Sequence, residues 1–161
     1  MEEWALFLDG SVDTKSKIGF GAYLVLDLRS SAASYDSDIK VKRFENTSST
    51  KLELQNLLWA FEELDSAMGR LIIYTDSQNI VSLPGRRERL EEAQYQSRSG
   101  KPLSNIELYR EFYRCADKRE CRFEKVKGHQ ARSKKGPIEE IFTQVDRAAR
   151  AALREFRTKS S

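Results

Sequence analysis

The sequence is poor in the residues that build disulfide frameworks, zinc sites and membrane spans. Its 161 residues include two cysteines, one histidine and three prolines. Cys115 and Cys121 cannot by themselves supply a disulfide framework or complete a zinc site. The longest apolar runs, such as residues 23–26, are far too short to cross a bilayer. The N-terminal Met1-Glu2-Glu3 lacks the basic head and apolar stretch of a signal peptide. We therefore expect a cytoplasmic protein with no membrane association.

Positive charge is scarce in the first half of the chain and abundant in the second. Residues 1–80 hold 8 Lys and Arg against 13 Asp and Glu, a net charge of −5. Residues 81–161 hold 20 against 12, a net charge of +8, and the whole chain carries +3. This split suggests a surface for a polyanion, built mainly by the second half. Solvated helix faces rich in Lys and Arg would give the same count, so charge alone leaves both interpretations open.

The hydrophobic pattern predicts a sheet with several helices. Strands are expected near residues 4–8, 19–28, 39–44, 71–74 and 122–126, and helices near residues 51–67, 77–83, 86–95, 103–116 and 137–156. We expect Asp9-Gly10-Ser11 to end the first strand as a turn, and Pro84-Gly85 to end the short second helix. Three successive strands followed by helical crossovers predict an α/β fold. Its mixed five-stranded sheet would combine a three-strand antiparallel meander with parallel strands, flanked by helices on both faces.

Four acidic residues stand at positions where such a fold could bring them together. Asp9 follows the first strand and Asp76 the fourth, and ligands of α/β sheets gather at the carboxyl ends of strands. Glu53 lies in the first turn of the intervening helix, next to the apolar stripe that includes Leu57, and Asp146 lies in the last helix. Clustered oxygen ligands without thiols favour Mg²⁺ or Mn²⁺. Taken singly, each acid also fits an ordinary role as a turn, cap or solvated residue.

In their order and spacing, the motifs of this chain resemble those of type 1 ribonucleases H. The matching segments are Asp9-Gly10-Ser11 with residues 19–23, Lys51-Leu52-Glu53, residues 74–78, residues 101–105 with 107–109, residues 126–129, and residues 145–150. The resemblance runs through nearly the whole chain. It implies one ribonuclease H-like domain over residues 1–161, with a basic helical insertion at about residues 84–102.

The resemblance implies endonucleolytic cleavage of the RNA strand of an RNA–DNA hybrid by two metal ions, leaving a 3′-hydroxyl and a 5′-phosphate. The metal ligands would be Asp9, Glu53, Asp76 and Asp146, which would hold two Mg²⁺ ions, with Mn²⁺ as a substitute. His129 would assist proton transfer or product release, and an ordinary histidine pKa near ~6.5 suits that role. An exposed loop histidine that merely binds phosphate is the alternative. We expect the protein to act as a monomer.

The resemblance also implies a surface for the hybrid. We expect nucleic-acid contacts from Gly10, Ser11, Thr50, Lys51, Gln78, Arg86, Arg87 and Lys101. Many family members carry Asn and Arg where this chain has Thr50 and Lys51, so contacts to the minor groove of the hybrid would differ here. The arginines of the basic insertion at about residues 84–102, the basic segment, could instead pair with acids three and four residues away, namely Glu88, Glu91 and Glu92. In that case the segment would not bind phosphate.

Other interpretations stay open at this point. The last motif has residues 142–145 where Asn-Glu is common in the family, so Glu139 or Glu140 is an alternative to Asp146 as the fourth ligand. The same fold also serves DNA nucleases and strand transferases. A catalytically silent module that binds a hybrid or RNA is a further alternative, although four acids and a histidine in this order favour an enzyme.

Overall fold

The computed structural model describes residues 3–27, 38–127 and 136–160, which form one five-stranded sheet and five helices. The strands are β1 (Glu3–Asp13), β2 (Ile18–Asp27), β3 (Lys40–Phe44), β4 (Arg70–Thr75) and β5 (Cys121–Lys125). The helices are α1 (Ser49–Glu63), α2 (Gln78–Val81), α3 (Leu83–Glu92), α4 (Ile106–Asp117) and α5 (Pro137–Ser160). No helix in these ranges is both long enough and apolar enough to cross a membrane.

The sheet has the mixed topology that the sequence predicts. Its strand order is β3-β2-β1-β4-β5. The first three strands form an antiparallel meander, and β4 and β5 continue the sheet in parallel from β1. The expected α/β class and the mixed five-stranded sheet are therefore confirmed.

Alternation along β1 divides the core into two layers. Leu6 and Leu8 belong to the apolar cluster on the side of α1, α2, α3 and α4. Ala5 and Phe7 belong to a second cluster, which they share with Val145 of α5. Because successive side chains of a strand point to opposite faces, this division places helices on both faces of the sheet, as expected.

The first strand does not end where the turn signal predicts. Asp9-Gly10-Ser11 lies inside β1, where Gly10 pairs with Gly21 across the β1–β2 ladder. The turn comes four residues later, because the Asp13 carboxylate accepts hydrogen bonds from the amide and hydroxyl of Ser16 at 3.0 and 2.7 Å. The partner of Gly10 lies in the next strand, beyond the dipeptide itself, so the local turn signal gave the wrong strand end.

Several helix ends also differ from the prediction. Pro84-Gly85 does not break the chain after a short helix, since α3 begins at Leu83 and Pro84 stands in its first turn. A proline is tolerated there because the first amides of a helix have no intrahelical partner. Helix α1 ends at Glu63 rather than near residue 67, α4 begins at Ile106 rather than at residue 103, and α5 continues to Ser160.

Candidate active site

The register of β1 and β4 brings two of the expected acids to one edge of the sheet. These strands are parallel neighbours, with Phe7 opposite Tyr74. Asp9 lies two residues beyond Phe7, and Asp76 lies two residues beyond Tyr74 and just past the end of β4. The two carboxylates therefore leave adjacent strands at the same level, where the topology switches direction.

Helix α1 approaches this edge closely because glycines face it. A Cβ atom placed on Gly10 or Gly19 would lie 2.9 Å from Cδ2 of Leu52. A Cβ atom on Gly21 would lie 2.3 Å from Oδ1 of Asn56. These distances leave no room for a side chain at the three glycines. The close approach brings Glu53, the residue after Leu52, to the edge where Asp9 and Asp76 emerge.

A cleft of about 230 Å³ lies between these elements. The residues that line it are Leu8, Asp9, Gly10, Val12, Ser49, Leu52, Glu53, Asn56, Thr75, Asp76 and Ile80. Three of the four expected acids thus share one cleft, and the fourth, Asp146, hydrogen-bonds the carboxyl group of Asp9. We call Asp9, Glu53, Asp76 and Asp146 the acidic cluster.

The carboxyl group of Asp9 is strongly perturbed. Burial raises its pKa first, followed by the hydrogen bond with Asp146 and the negative charges of Asp76 and Asp146. The amide of Gly10 opposes these effects, and the resulting pKa is about 9. Without a cation, the protein therefore retains a proton at Asp9 near neutral pH, because burial and the neighbouring carboxylates both disfavour the ionised form.

Glu53 is perturbed for related reasons. Burial raises its pKa, a hydrogen bond from Ser77 opposes that change, and the charge of Asp76 raises the pKa further. Ser77 also caps α2, because its hydroxyl oxygen accepts a hydrogen bond from the amide of Ile80 at 3.2 Å. Glu53 and Asp76 therefore repel each other across the cleft, although they come from different elements.

Asp146 differs in its contacts from Glu139 and Glu140, the two acids in the first turn of α5. Asp146 accepts a hydrogen bond from Nε of Arg150 at 3.0 Å, and 25% of its side chain is exposed. The carboxylate of Glu139 instead accepts a hydrogen bond from the amide of Gly136 at 3.1 Å, at the beginning of its own helix. Glu140 is exposed. Asp146 is therefore the acid of α5 that the fold places against Asp9.

The acidic cluster offers donor atoms that suit a divalent cation, although its side chains do not form a ready coordination site. Among residues 3–27, 38–127 and 136–160, no group of three or more His, Cys, Asp or Glu side chains is arranged so that it could hold a metal ion. The cluster nevertheless offers only carboxylate oxygens, which are the donors that Mg²⁺ and Mn²⁺ prefer. A cation would also relieve the like-charge repulsion that raises the pKa of Asp9 and Glu53.

Of the residues expected to contact nucleic acid, Gly10 lines this cleft, and Ser11, Thr50, Lys51 and Gln78 lie within two residues of lining residues along the chain. Gly10 and Ser11 continue β1 just beyond Asp9, and Thr50 is exposed in the first turn of α1. The Nζ atom of Lys51 donates to the carbonyl of Asn46 at 3.1 Å. Gln78, at the start of α2, accepts a hydrogen bond from Nζ of Lys125 at 3.1 Å.

The expected arginines of the basic segment are engaged within the protein. Arg86 donates from Nη2 to the carbonyl and side-chain oxygens of Asn79 at 3.2 and 2.7 Å. Its guanidinium also lies over the ring of Tyr109, 5.7 Å from the centroid. Arg87 forms a bidentate ion pair with Asp117, at 2.5 and 2.9 Å, and a further ion pair with Glu91 at 2.9 Å. Lys101, by contrast, is exposed.

Two site features were missed by the sequence reasoning. Asp117 neutralises Arg87 across thirty residues, and no local pattern indicates that pairing. Asn56 is only 2% exposed and lines the cleft. A signal for Asn56 was available, because it interrupts the apolar stripe of α1 one turn after Glu53.

The expected His129 lies outside the described residues, as do the basic residues 132, 134 and 135.

Comparison with known proteins assigns the family. The family model of RNase H matches residues 1–154 of the chain. A solved structure with a similar fold is the PFV RNase H domain, determined in solution, with a TM-score of 0.76. The two sequences are 17% identical, and the match covers 93% of each chain. No curated protein matches. Since the family model spans nearly all of the sequence, the chain belongs to the RNase H family.

Proposed function

We propose that this protein is an endoribonuclease that hydrolyses the RNA strand of RNA–DNA hybrids with the help of two divalent metal ions. The observation that carries the proposal is that Asp9, Glu53 and Asp76 share one cleft and that Asp146 of α5 hydrogen-bonds Asp9. Family membership supports a nuclease that acts on hybrids. The electrostatics of Asp9 support a site that needs a cation to become fully ionised.

In this proposal Asp9, Glu53, Asp76 and Asp146 hold two Mg²⁺ ions, and Mn²⁺ can replace them. When bound, such ions lower the pKa of a water and stabilise the charge that develops on the phosphate. The chain contributes the positions of its carboxylates. Asp9 and Asp76 are carried by adjacent parallel strands, so the spacing between them is set by the sheet. Asp146 supports Asp9 directly through a hydrogen bond.

We assign a proton-transfer or product-release role to His129, the single histidine of the chain. Its ordinary pKa lies close to neutral pH, so a small change in environment switches its charge. The hybrid would lie across the mouth of the cleft, next to Gly10, Ser11, Thr50, Lys51 and Gln78. Contacts to the 2′-hydroxyl group there would distinguish RNA from DNA.

Further features of the proposal concern the state of the protein. All four acids come from one chain, so a monomer suffices for the site. Cys115 and Cys121 are free thiols, which suits the reducing cytoplasm. We also propose that residues 1–161 work as one domain, since the family match already covers residues 1–154.

The test is incubation of the purified protein with end-labelled RNA–DNA hybrid, duplex DNA and double-stranded RNA, each with Mg²⁺, Mn²⁺ or chelator. We expect cleavage of the RNA in the hybrid alone, with either metal and not with chelator, and products with 3′-hydroxyl and 5′-phosphate ends. Cutting of duplex DNA would indicate the DNA nuclease of the same fold. Binding of the hybrid without cleavage under any metal condition would indicate a silent binding module.

A further inference from the structure

A buried amide connects the helix that carries Glu53 to the strand that carries Asp9. Asn56 is 2% exposed, and its Nδ2 atom donates to the carbonyl of Asp9 at 3.1 Å and to the carbonyl of Ala22 at 3.0 Å. Asp9 and Ala22 are direct partners across the β1–β2 ladder. One amide group therefore joins both strands of the hairpin at the level of the acidic cluster.

The packing around this amide is tight. Gly21 lies beneath it, so that a Cβ atom on Gly21 would lie 2.3 Å from Oδ1 and 2.6 Å from Cγ of Asn56. The Oδ1 atom is buried and has no hydrogen-bond partner among the described residues. An unpaired buried acceptor is unfavourable for folding, and an apolar side chain would avoid it. The two bonds that Nδ2 donates are therefore the contribution that distinguishes an amide at this position.

Asn56 also has a particular relation to Glu53. The two residues are three positions apart on α1, so they lie on adjacent turns of one helix. The turn that contributes Glu53 to the cleft is therefore attached, through Asn56, to the backbone of Asp9. Gly10 and Gly21 have no side chains that could pack against α1. The hydrogen bonds of the Asn56 amide therefore supply a polar attachment between α1 and the two strands at this point.

We propose that Asn56 is a positioning residue of the active site, which fixes the backbone of Asp9 relative to Glu53 through the hydrogen bonds of its side-chain amide. This inference rests on the proposed function, because it assigns a purpose to the spacing of two proposed metal ligands. Its consequence is that loss of the amide disturbs metal binding and turnover more than it disturbs the grip on the hybrid. Gln78 and Lys101, two of the residues expected to contact the hybrid, lie outside the helix and the strands that Asn56 joins.

The central experiment compares Asn56→Ala with Leu57→Ala. Leu57 is the next residue of α1 and is fully buried in the apolar cluster, so its truncation destabilises the same helix without removing the amide. Both variants would be studied below their unfolding temperatures, as measured by circular dichroism. The readouts are Mn²⁺ affinity, by titration followed with electron paramagnetic resonance, and kcat and KM on the hybrid.

We expect Asn56→Ala to weaken Mn²⁺ binding and lower kcat by about 10–100-fold, the usual effect of removing a group that orients a metal ligand. KM for the hybrid should stay within about twofold of the wild-type value, since the contacts that hold the hybrid are retained. Leu57→Ala should unfold at a lower temperature but keep wild-type Mn²⁺ affinity and kcat. The proposal is overturned if Asn56→Ala keeps both values, or if Leu57→Ala loses them equally.

A second variant moves the amide without deleting it. Gly21→Ala places a methyl group where Oδ1 of Asn56 lies, so it should weaken Mn²⁺ binding to a similar extent. The double variant Gly21→Ala/Asn56→Ala should lose less than the sum of the two single losses, because both changes act on one contact and only the 3.0 Å approach to Cβ of residue 56 remains. Additive losses would contradict the inference. If Asn56→Ala does not fold, Gly21→Ala alone tests the proposal. A weaker Mn²⁺ affinity in that variant would support the positioning role, and an unchanged affinity would overturn it.

The Mn²⁺ titration separates this inference from the proposed function. A wild-type protein that binds Mn²⁺ but leaves the hybrid uncut would overturn the proposed function, whereas a weaker affinity in Asn56→Ala would still support the positioning role. A wild-type protein that binds no Mn²⁺ would overturn both.

Discussion

The acidic cluster and the arginine-bearing helices α3 and α4 handle charge in opposite ways. In the acidic cluster, Asp9 lies against Asp146 and within the field of Asp76, so like charges converge and burial adds to their repulsion. In the two helices, Arg87 is matched by Asp117 and Glu91, and the Arg87–Asp117 pair holds the pKa of Asp117 below its usual range. Like charges therefore converge in the first region, whereas opposite charges are matched in the second.

This difference helps to separate sites from surfaces. Converging carboxylates cost folding free energy unless a cation or a proton relieves them, so their presence supports the proposed cation site. Arginines that are neutralised by neighbours contribute little net attraction for phosphate, however dense they are in the sequence. The comparison therefore predicts large effects from changes in the acidic cluster and small effects from changes at Arg87.

The largest effect is expected from Asp9→Asn and Asp76→Asn. Each should abolish cleavage of the hybrid, because each removes a proposed metal ligand. Each should also leave the fold intact and stabilise the metal-free protein, because Asp9→Asn removes a buried carboxyl group that must hold a proton far above its ordinary pKa, and Asp76→Asn removes a negative charge beside it. Cleavage assays and thermal unfolding in chelator measure the two outcomes. Glu62→Gln, at an exposed position of α1, is the matched control and should change neither. Full activity in Asp76→Asn would refute the two-metal assignment.

A smaller kinetic effect is expected from His129→Ala. A group that transfers protons contributes about 10²–10⁴-fold, so turnover should fall within that range while metal binding is retained. Single-turnover rates and hybrid affinity, measured by fluorescence anisotropy, separate the two roles considered for this residue. An equal loss of affinity and rate would show that His129 serves as a phosphate contact.

The pH dependence of stability tests the acidic cluster without catalysis. The pKa of Asp9 is about 9 in the folded protein against an ordinary value of 3.8, so the folded state binds the proton more tightly. The free energy of unfolding in chelator should therefore fall as pH rises from about 4 to about 9. Asp9→Asn should flatten this dependence, and added Mg²⁺ or Mn²⁺ should offset the loss at high pH. Urea denaturation at pH 5, 7 and 8.5 measures it. Equal slopes in wild type and Asp9→Asn would contradict the assignment of the proton.

The same contrast shows why the sequence predicted the acidic cluster better than the basic surface. Asp9 and Asp76 follow apolar runs whose order dictates parallel neighbours, so their convergence depends on topology that local patterns reveal. The role of Arg87 depends on Asp117, thirty residues away. Of the nearby acids that were expected to pair with the arginines, Glu91 does form an ion pair with Arg87. The early end predicted for β1 failed for the same reason, because Gly10 pairs with Gly21 in another strand.

The smallest effect is expected from Arg87→Ala. The Arg87–Asp117 pair is partly exposed, with 38% and 56% of the two side chains accessible, so its loss should cost about 0–1 kcal/mol of unfolding free energy. Since its charge is already matched, hybrid affinity and its dependence on salt should remain at wild-type values. Lys101→Ala is the matched comparison, because Lys101 is exposed and was expected to contact phosphate.

Binding titrations over a range of salt concentrations distinguish the two cations. Each phosphate contact that is lost should reduce the slope of log affinity against log salt by roughly 0.9, the value for duplex DNA. Lys101→Ala should show that reduction, and Arg87→Ala should not. A flatter slope in Arg87→Ala would mean that the guanidinium leaves Asp117 to reach the hybrid. In that event Asp117→Ala should tighten binding, because it would release Arg87 from its partner within the protein.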